Sequence, residues 1–587
     1  MTSITAFSAG AYSTSRQTAD LLALKEQVNT LTRQLSSGRV AETYAELGVR
    51  RSESLSARGM LSALDGYDAA ISSVRPRVEL ASASLGRISK MTTTLRNGLT
   101  TNRSDADANR AMARDSLNGA IDALNQQLGG QYLFGGREVT QAPVLSGIIL
   151  LNGDTSDPVK PLAGVKTLVN EQIRADLGTG LGRLTLSTPS STSIEVREDA
   201  DASARANLGF SISAQPTSSG SFATISYAAS PPEGATLSFA KPPAADDHFR
   251  VVVNQAGGGQ KTYDLTGADL ADVSSAANAA SSLKALIGND KIASVQSASP
   301  PGLSASFANT TAPASFTINV VAQPANGDQI RITLGLRDGT TTALTLYART
   351  NADPMSRTDF VIGATPAETA QNLSNTLGRS LKQAAETSLA ASSTIRATQD
   401  FFAGSNVAGL APRRIDFTGA VPAYASTSSE TTVIWYRGET SPTDPRTSFA
   451  VRTGATSTVG IGARANEEAI RTILSGFAAV AVGSAASAFT QAADRWKALA
   501  ERSASLLPQE EPLKAISTEF GIASSSLSEA QARNKAARGI VQSQVDGIES
   551  VSSQEIAVKL LDVQNRLQTS YQVTAMLLKL SLVNYLR

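Results

Sequence analysis

The sequence predicts an α+β fold: long N- and C-terminal α-helical coiled-coil arms packed together, with β-rich variable domains inserted between them. Three observations predict it. Apolar residues at both chain ends recur at alternating spacings of three and four, the a/d period of a coiled coil. The middle is rich in Gly, Pro, Ser and Thr, with short alternating segments that read as strands. The order is helix arm, β-rich insert, helix arm.

The first seam is Leu21, Leu24, Val28, Leu31 and Leu35, and it stops at Ser36-Ser37-Gly38, a plausible helix terminator. A second runs Ile71, Val74, Val78, Ala81, Leu85, Ile88, Thr92, Leu95 and Leu99. Pro76 lies inside it and is expected to kink the helix or to mark its start. A third, short series is Leu117, Ile121, Leu124 and Leu128, ended by Gly129-Gly130.

The last hundred residues repeat the theme. Ile556, Leu560, Val563, Leu567, Ser570, Thr574 and Leu577 alternate four and three, and Val541, Val545 and Ile548 continue the stripe upstream. Pro508 and Pro512 mark a break before it. As one helix, residues 513–586 would be about 110 Å long at about 1.5 Å per residue, with bends at Gly521, Gly539 and Gly547. Such a length suits a rod or a rod-like assembly. Arms from opposite chain ends can satisfy each other's seams, antiparallel or side by side. Each seam residue faces either its own chain or a neighbour; spacing alone leaves both open.

In the middle, SFTINVVAQ and DQIRITLGLRDGTTTALTLYA read as a hairpin with Asp338-Gly339 at its turn. FRVVVNQAGGGQKTYDLTG reads the same way, with Gly257 to Gly259 at the turn. A weak internal repeat aligns the segment from Thr236 with that from Thr317: Pro243 with Pro324, Asp247 with Asp328, Arg250 with Arg331. Each copy precedes a helix-like stretch, giving two strand-hairpin-helix modules in tandem. The expected organisation is a helical arm over 1–135, a connecting β-rich region over 136–230, hairpin/helix modules over 231–305 and 306–400, a β-rich return over 401–475, and a helical arm over 476–587.

Composition narrows the function classes. Lys plus Arg is 52 against 51 for Asp plus Glu, so nothing favours nucleic acid. There is no Cys and the one His is His248, so no Cys/His zinc site can be built within a chain and any Ser-His-Asp triad must use His248. The zinc-peptidase H-E-x-x-H motif is absent. Asp246, Asp247 and His248 could suggest a metal but read better as a solvated turn before a strand. Gly178 to Gly182 reads as a loop, Trp435 as strand core, and Glu510-Glu511 as a loop beside prolines. No catalytic residue, cofactor or metal is expected. The N-terminal stretch lacks the pattern of a cleaved signal peptide, and VTAMLLKLSLVNYLR is too short and polar to span a bilayer.

LTRQLSSGRV, AETYAELG, QYLFGG, GARANEEAIRTIL and the final LKLSLVNYLR together resemble the bacterial flagellin family, most closely its hook–filament junction members, the hook-associated proteins of flagellin type. LTRQLSSGRV, residues 31–40, is similar to the segment after the first flagellin helix, and AETYAELG follows it before a second long helix. QYLFGG, residues 131–136, resembles a junction-protein segment; GARANEEAIRTIL, residues 462–474, resembles the return into the C-terminal helical domain; LKLSLVNYLR resembles the junction terminus. The likeness covers roughly 1–145 and 460–587. It implies a secreted, non-enzymatic structural subunit, exported unfolded by the flagellar type III route with a chaperone. It also implies terminal arms that order as coiled coils on forming a helical or ring homo-oligomer with flagellin and other hook-associated proteins as neighbours. A filament-forming flagellin is the alternative within the family; a surface adhesin with a helical stalk is the alternative outside it.

Overall fold

A computed structural model describes residues 7–229, 235–254, 260–307, 312–425, 431–441, 443–483, 492–507 and 511–585. The fold is mixed helix and strand, α+β. In chain order the α-helices are α1 (Phe7–Ser37), α2 (Arg51–Thr101), α3 (Ala106–Leu124), α4 (Gly147–Asn152), α5 (Val165–Leu177), α6 (Ala202–Asn207), α7 (Ala276–Ile287), α8 (Pro366–Ala384), α9 (Ala390–Ala403), α10 (Glu468–Val482), α11 (Ala492–Leu506), α12 (Glu511–Glu549) and α13 (Ser553–Tyr585). The chain forms two compact units. One comprises Met1–Pro76, Val451–Val459 and Ala523–Arg587; the other comprises Arg77–Ala450 and Gly460–Ile522.

Several helix ends differ from expectation. The C-terminal stretch is two helices: α12 stops at Glu549 and α13 begins at Ser553, with Ser550 bridged antiparallel to Arg39. Three consecutive non-helix-forming residues (Ser550, Val551, Ser552) weaken the helix there, and the backbone groups they release bond to the chain just after α1. The break is at none of the three glycines, all of which lie within α12. Glu511 and Pro512, expected in a loop, open α12 instead; Pro is tolerated in a first turn because its missing N–H has no intrahelical acceptor there. Pro76 neither starts nor ends a helix: α2 begins at Arg51 and runs through it. The third series ends at Leu124, four residues early, because Leu128 enters a two-residue hairpin whose turn needs positive φ at both Gly129 and Gly130.

The β-rich part has two cores. In the first, the strands order as Lys291–Ser297, His248–Asn254, Gln260–Thr266, beside the pair Leu303–Ser306 and Thr236–Phe239. Phe249, Val251 and Val253 pack on Ala279, Leu283 and Ile287 of α7. The expected Gly257 to Gly259 turn lies outside the described residues. In the second, the hairpin of Gln329–Gly335 with Thr341–Arg349 turns at Asp338-Gly339, and Leu373, Leu377 and Leu381 of α8 cover it.

The connecting region 136–230 is not separate from these modules. Its strands Ser193–Arg197 and Ala223–Ala228 flank Ser315–Val320 on both sides, and Thr217–Ser218 adds to Gln329–Gly335. Ile194, Val196 and Phe222 sit in the second core. Ser315–Val320 is therefore a central strand of one sheet and not half of the hairpin in the next. The repeat holds in local geometry. Asp247 accepts from the Ala244 N–H at 2.8 Å, and Asp328 accepts from the Ala325 N–H at 2.8 Å. Pro243 and Pro324 are both buried beside these turns. The third matched pair diverges: Arg250 is buried against Asp264, whereas Arg331 is exposed.

The expected C-terminal arm over 476–587 is divided. α10 packs on α3 and α9, and α11 on α9, all within the second unit. TTVIWYRG forms isolated bridges at Thr432 and Tyr436 rather than a strand, with Trp435 fully buried and its indole N–H donating to the Phe402 carbonyl at 2.9 Å.

Candidate assembly surface

In the first unit, the two ends of the chain meet. α1 packs along α13. The C-terminal end of α1 is tied to the start of α13, so the helices run antiparallel. Val40 N–H donates to the Glu549 carbonyl at 2.7 Å and Val551 N–H to the Gly38 carbonyl at 3.1 Å. Gly38, at φ +67°, makes the turn that exposes its carbonyl to this tie. Leu21, Leu24, Val28, Leu31 and Leu35 are all half-buried on α1, and Leu560, Val563, Leu567, Ser570 and Thr574 are half-buried on α13, with Ile556 buried. The side chain of Leu577 lies outside the described residues. A two-helix seam of this kind covers its apolar stripe only in part. Each half-buried Leu leaves about 1 kcal/mol of burial ungained.

The first half of α2 meets the second half of α12 in the same unit. Ala57 and Leu61 pack against Val541 and Val545, and Ile548 is buried next along the stripe. Polar ties flank this cluster. Arg58 forks onto Glu549, and Ser54 donates to the same carboxylate at 2.5 Å. Arg538 stands 3.2 Å from Asp65, and Asn534 donates to the Thr453 carbonyl at 3.2 Å. The Arg58 fork pulls the Glu549 carboxyl down to about 2. Ile71 and Val74 are buried in the same half of α2.

The rest of the predicted second seam is interior. Val78, Leu85, Ile88, Leu95 and Leu99 lie in the second unit and are buried by their own chain, the last four completely. Sequence spacing missed two extensions with the same period. One is Ser54, Ala57, Leu61 and Leu64, upstream of Ile71; the other is Leu513, Ile516, Phe520, Ala523, Leu527 and Ala530, upstream of Val541. In both, Ala and Ser stand at seam positions, so the stripe fades on a hydrophobicity reading while the 3–4 alternation persists.

The helices also carry apolar side chains that nothing in the described residues covers. Leu22, Met60, Ile540, Val558, Leu561, Tyr571 and Met576 are more than half exposed. On α13, Val558 and Met576 are about five turns apart, and together with Leu561 and Val573 they mark the face opposite the seam. No helix among the described residues is long and apolar enough to cross a membrane.

The segments quoted as QYLFGG and GARANEEAIRTIL pair with each other in the second unit. Gly135 bridges Arg464 antiparallel, Gly136 N–H donates to the Ala463 carbonyl at 3.0 Å, and Ala465 N–H donates to the Phe134 carbonyl at 2.9 Å. Chain leaving the N-terminal helices is thereby zipped to chain returning to the C-terminal ones. Gly135 has no room for a side chain: a Cβ there would lie 2.1 Å from the Glu138 carbonyl oxygen. Glu439 closes the crossing, accepting from Arg137 N–H at 3.0 Å and standing 3.7 Å from Arg464. His248 opens its strand half-buried, Asp246 is exposed, and Gly178 to Gly182 is a turn.

In comparisons with known proteins, no protein-family model matches the chain, and no curated protein matches it.

Proposed function

We propose that this chain is a secreted structural subunit of the bacterial flagellum, of the flagellin type, that joins hook to filament through coiled-coil assembly of its terminal arms. The observation that carries the reading is the meeting of the two chain ends along seams that stay half-buried, α1 with α13, beside apolar side chains exposed on the outer faces. A subunit of a tube needs both features. Its ends must form one rod, and that rod must keep apolar surface for neighbours, because contacts that do not close on themselves extend into a filament. The segments that resemble flagellins lie just after α1 and at the crossing where Gly135 bridges Arg464.

On this reading the chain is a homo-oligomer, touches flagellin and other hook-associated proteins, travels through type III export with a chaperone, and performs no catalysis. Its β modules form the outer face. Immunogold electron microscopy of intact flagella, with an antibody to residues 140–470, tests it. A single band between hook and filament is the expected result. Label along the whole filament replaces the junction role with that of a filament flagellin. Label on the cell body and none on flagella overturns both in favour of an adhesin.

A further inference from the structure

Along the outer edge of the strand Lys291–Ser297, the first β module and the loops after α9 border a groove of about 840 Å³ within the second unit. Sites for small organic ligands span about 300–1,000 Å³. Asn207, the last residue of α6, stands in its wall. Its amide donates both hydrogens, to the Ser203 carbonyl at 3.0 Å and to the Ala293 carbonyl at 2.6 Å. That fixes which way the amide faces, because the flipped form would set its oxygen against two carbonyl oxygens. Asn207 Oδ1 is thus a buried acceptor with no hydrogen-bond partner among the described residues, on a residue 7% exposed.

Gln296, half-buried in the same wall, repeats the arrangement three residues beyond Ala293 on the strand. Its Nε2 donates to the Ala411 carbonyl at 3.2 Å, and its Oε1 accepts nothing among the described residues. Ala293 and Gln296 are about 10 Å apart along the strand. The positive charge in the wall is already engaged: Arg413 donates to the Ser294 hydroxyl at 2.6 Å and stands 3.4 Å from Asp400. Val295 and Phe307 add half-buried apolar surface.

Buried polar groups are almost always satisfied, by protein, by water or by something bound. Two oriented acceptors in a wall with no free charge call for an occupant that is neutral and rich in donors. An extended peptide also offers N–H donors, but it needs an open strand edge. Here the edge is obstructed. The Asn207 amide sits on the Ala293 carbonyl, Gln296 spans to Ala411, and the loop after α9 presses so close that a Cβ at Gly409 would lie 2.1 Å from the Ala298 nitrogen. Hydroxyls on a compact ring need no such edge. We propose that this groove binds a neutral saccharide, a disaccharide unit whose hydroxyls donate to Asn207 Oδ1 and Gln296 Oε1 while a C–H face lies on Val295 and Phe307. This activity is additional to the assembly reading and needs only the second unit, so either can fail without the other.

The test uses the purified full chain. Isothermal titration with maltose, cellobiose, lactose and N,N′-diacetylchitobiose is run beside a short Ala-Ser peptide. The expected result is saturable binding of at least one disaccharide, at millimolar or tighter affinity. Asn207→Ala weakens it about tenfold and Gln296→Ala about threefold, each through the loss of one hydrogen bond. Should Asn207→Ala fail to fold, Ala408→Trp, at an exposed position on the rim, fills the groove and abolishes binding with unchanged circular dichroism. No saturable binding by any of these disaccharides overturns the proposal, with ordered water satisfying the two amides instead. So does peptide binding without saccharide binding, and so does full affinity retained in both Gln296→Ala and Ala408→Trp.

Discussion

Arg58 and Glu549, 491 positions apart, meet as a fork: Nε donates to Oε1 at 2.8 Å and Nη2 to Oε2 at 2.5 Å. No local rule of sequence joins them. They are brought together because α2 and α12 lay their apolar stripes on each other beside them, at Ala57 and Val545. The fork then holds the carboxyl at about 2, against an ordinary glutamate near 4.3.

That depression makes a pH prediction. A carboxyl whose folded pKa lies below its unfolded value contributes stability fully present above the unfolded pKa and lost as pH falls through the folded one. Between about pH 5 and pH 2 the wild-type first unit loses stability that Glu549→Gln does not lose. Arg58 is 46% exposed, so solvent screening reduces the effect to about 1 kcal/mol. Urea unfolding followed by far-ultraviolet circular dichroism at several pH values checks it. Parallel pH profiles for wild type and variant would count against the fork.

Pro76 is exposed within α2 and leaves the Ser72 carbonyl without its helical N–H. Pro76→Ala restores that donor and meets no packed neighbour. Stability rises by about 1–3 kcal/mol, read as a higher melting temperature. A lower one would mean that the proline itself is needed at this position.

The matched turns at Asp247 and Asp328 have the same bond length and serve separate cores. Asp247→Ala and Asp328→Ala each cost about 1 kcal/mol, and the double variant costs their sum because the sites share no partner. Unequal costs in denaturant titrations would show that only one copy of the repeat still uses its turn.

Two leucines of the same predicted pattern separate interior from assembly. Leu85 is completely buried, so Leu85→Ala costs about 2–5 kcal/mol in the monomer. Leu560 is half-buried on α13, so Leu560→Ala costs the monomer less than about 1 kcal/mol. On the flagellar reading it nevertheless weakens oligomer formation, as sedimentation measures. An unchanged sedimentation profile would remove the α13 seam from the assembly.

The terminal helices were legible because a/d periodicity survives in any helix with one apolar stripe. Leu21 to Leu35 and Ile556 to Thr574 stand on the buried sides their spacing indicates. The Asp338-Gly339 hairpin was legible for a similar reason, since its turn chemistry is local. The pairing of Gly135 with Arg464 was not legible, because the two segments lie more than three hundred residues apart and no spacing relates them.

The sequence by itself determined the periods: where helices run, which stripe is apolar, where glycines permit a turn, and that no cysteine or second histidine is available for chemistry. Only the tertiary structure decided partners. It placed Val78 to Leu99 in an interior and left Leu21 to Leu35 half-covered, though the spacing of both seams is the same. It drew strands Ser193–Arg197 and Ala223–Ala228 into one sheet with Ser315–Val320, about ninety residues or more further along the chain. It also cut the last helix at Ser550, where the chain after α1 supplies the hydrogen bonds. The physical reason is that periodicity is set by bonds between residues three or four apart, whereas the face that covers a stripe is chosen by whichever surface removes the most apolar area from water.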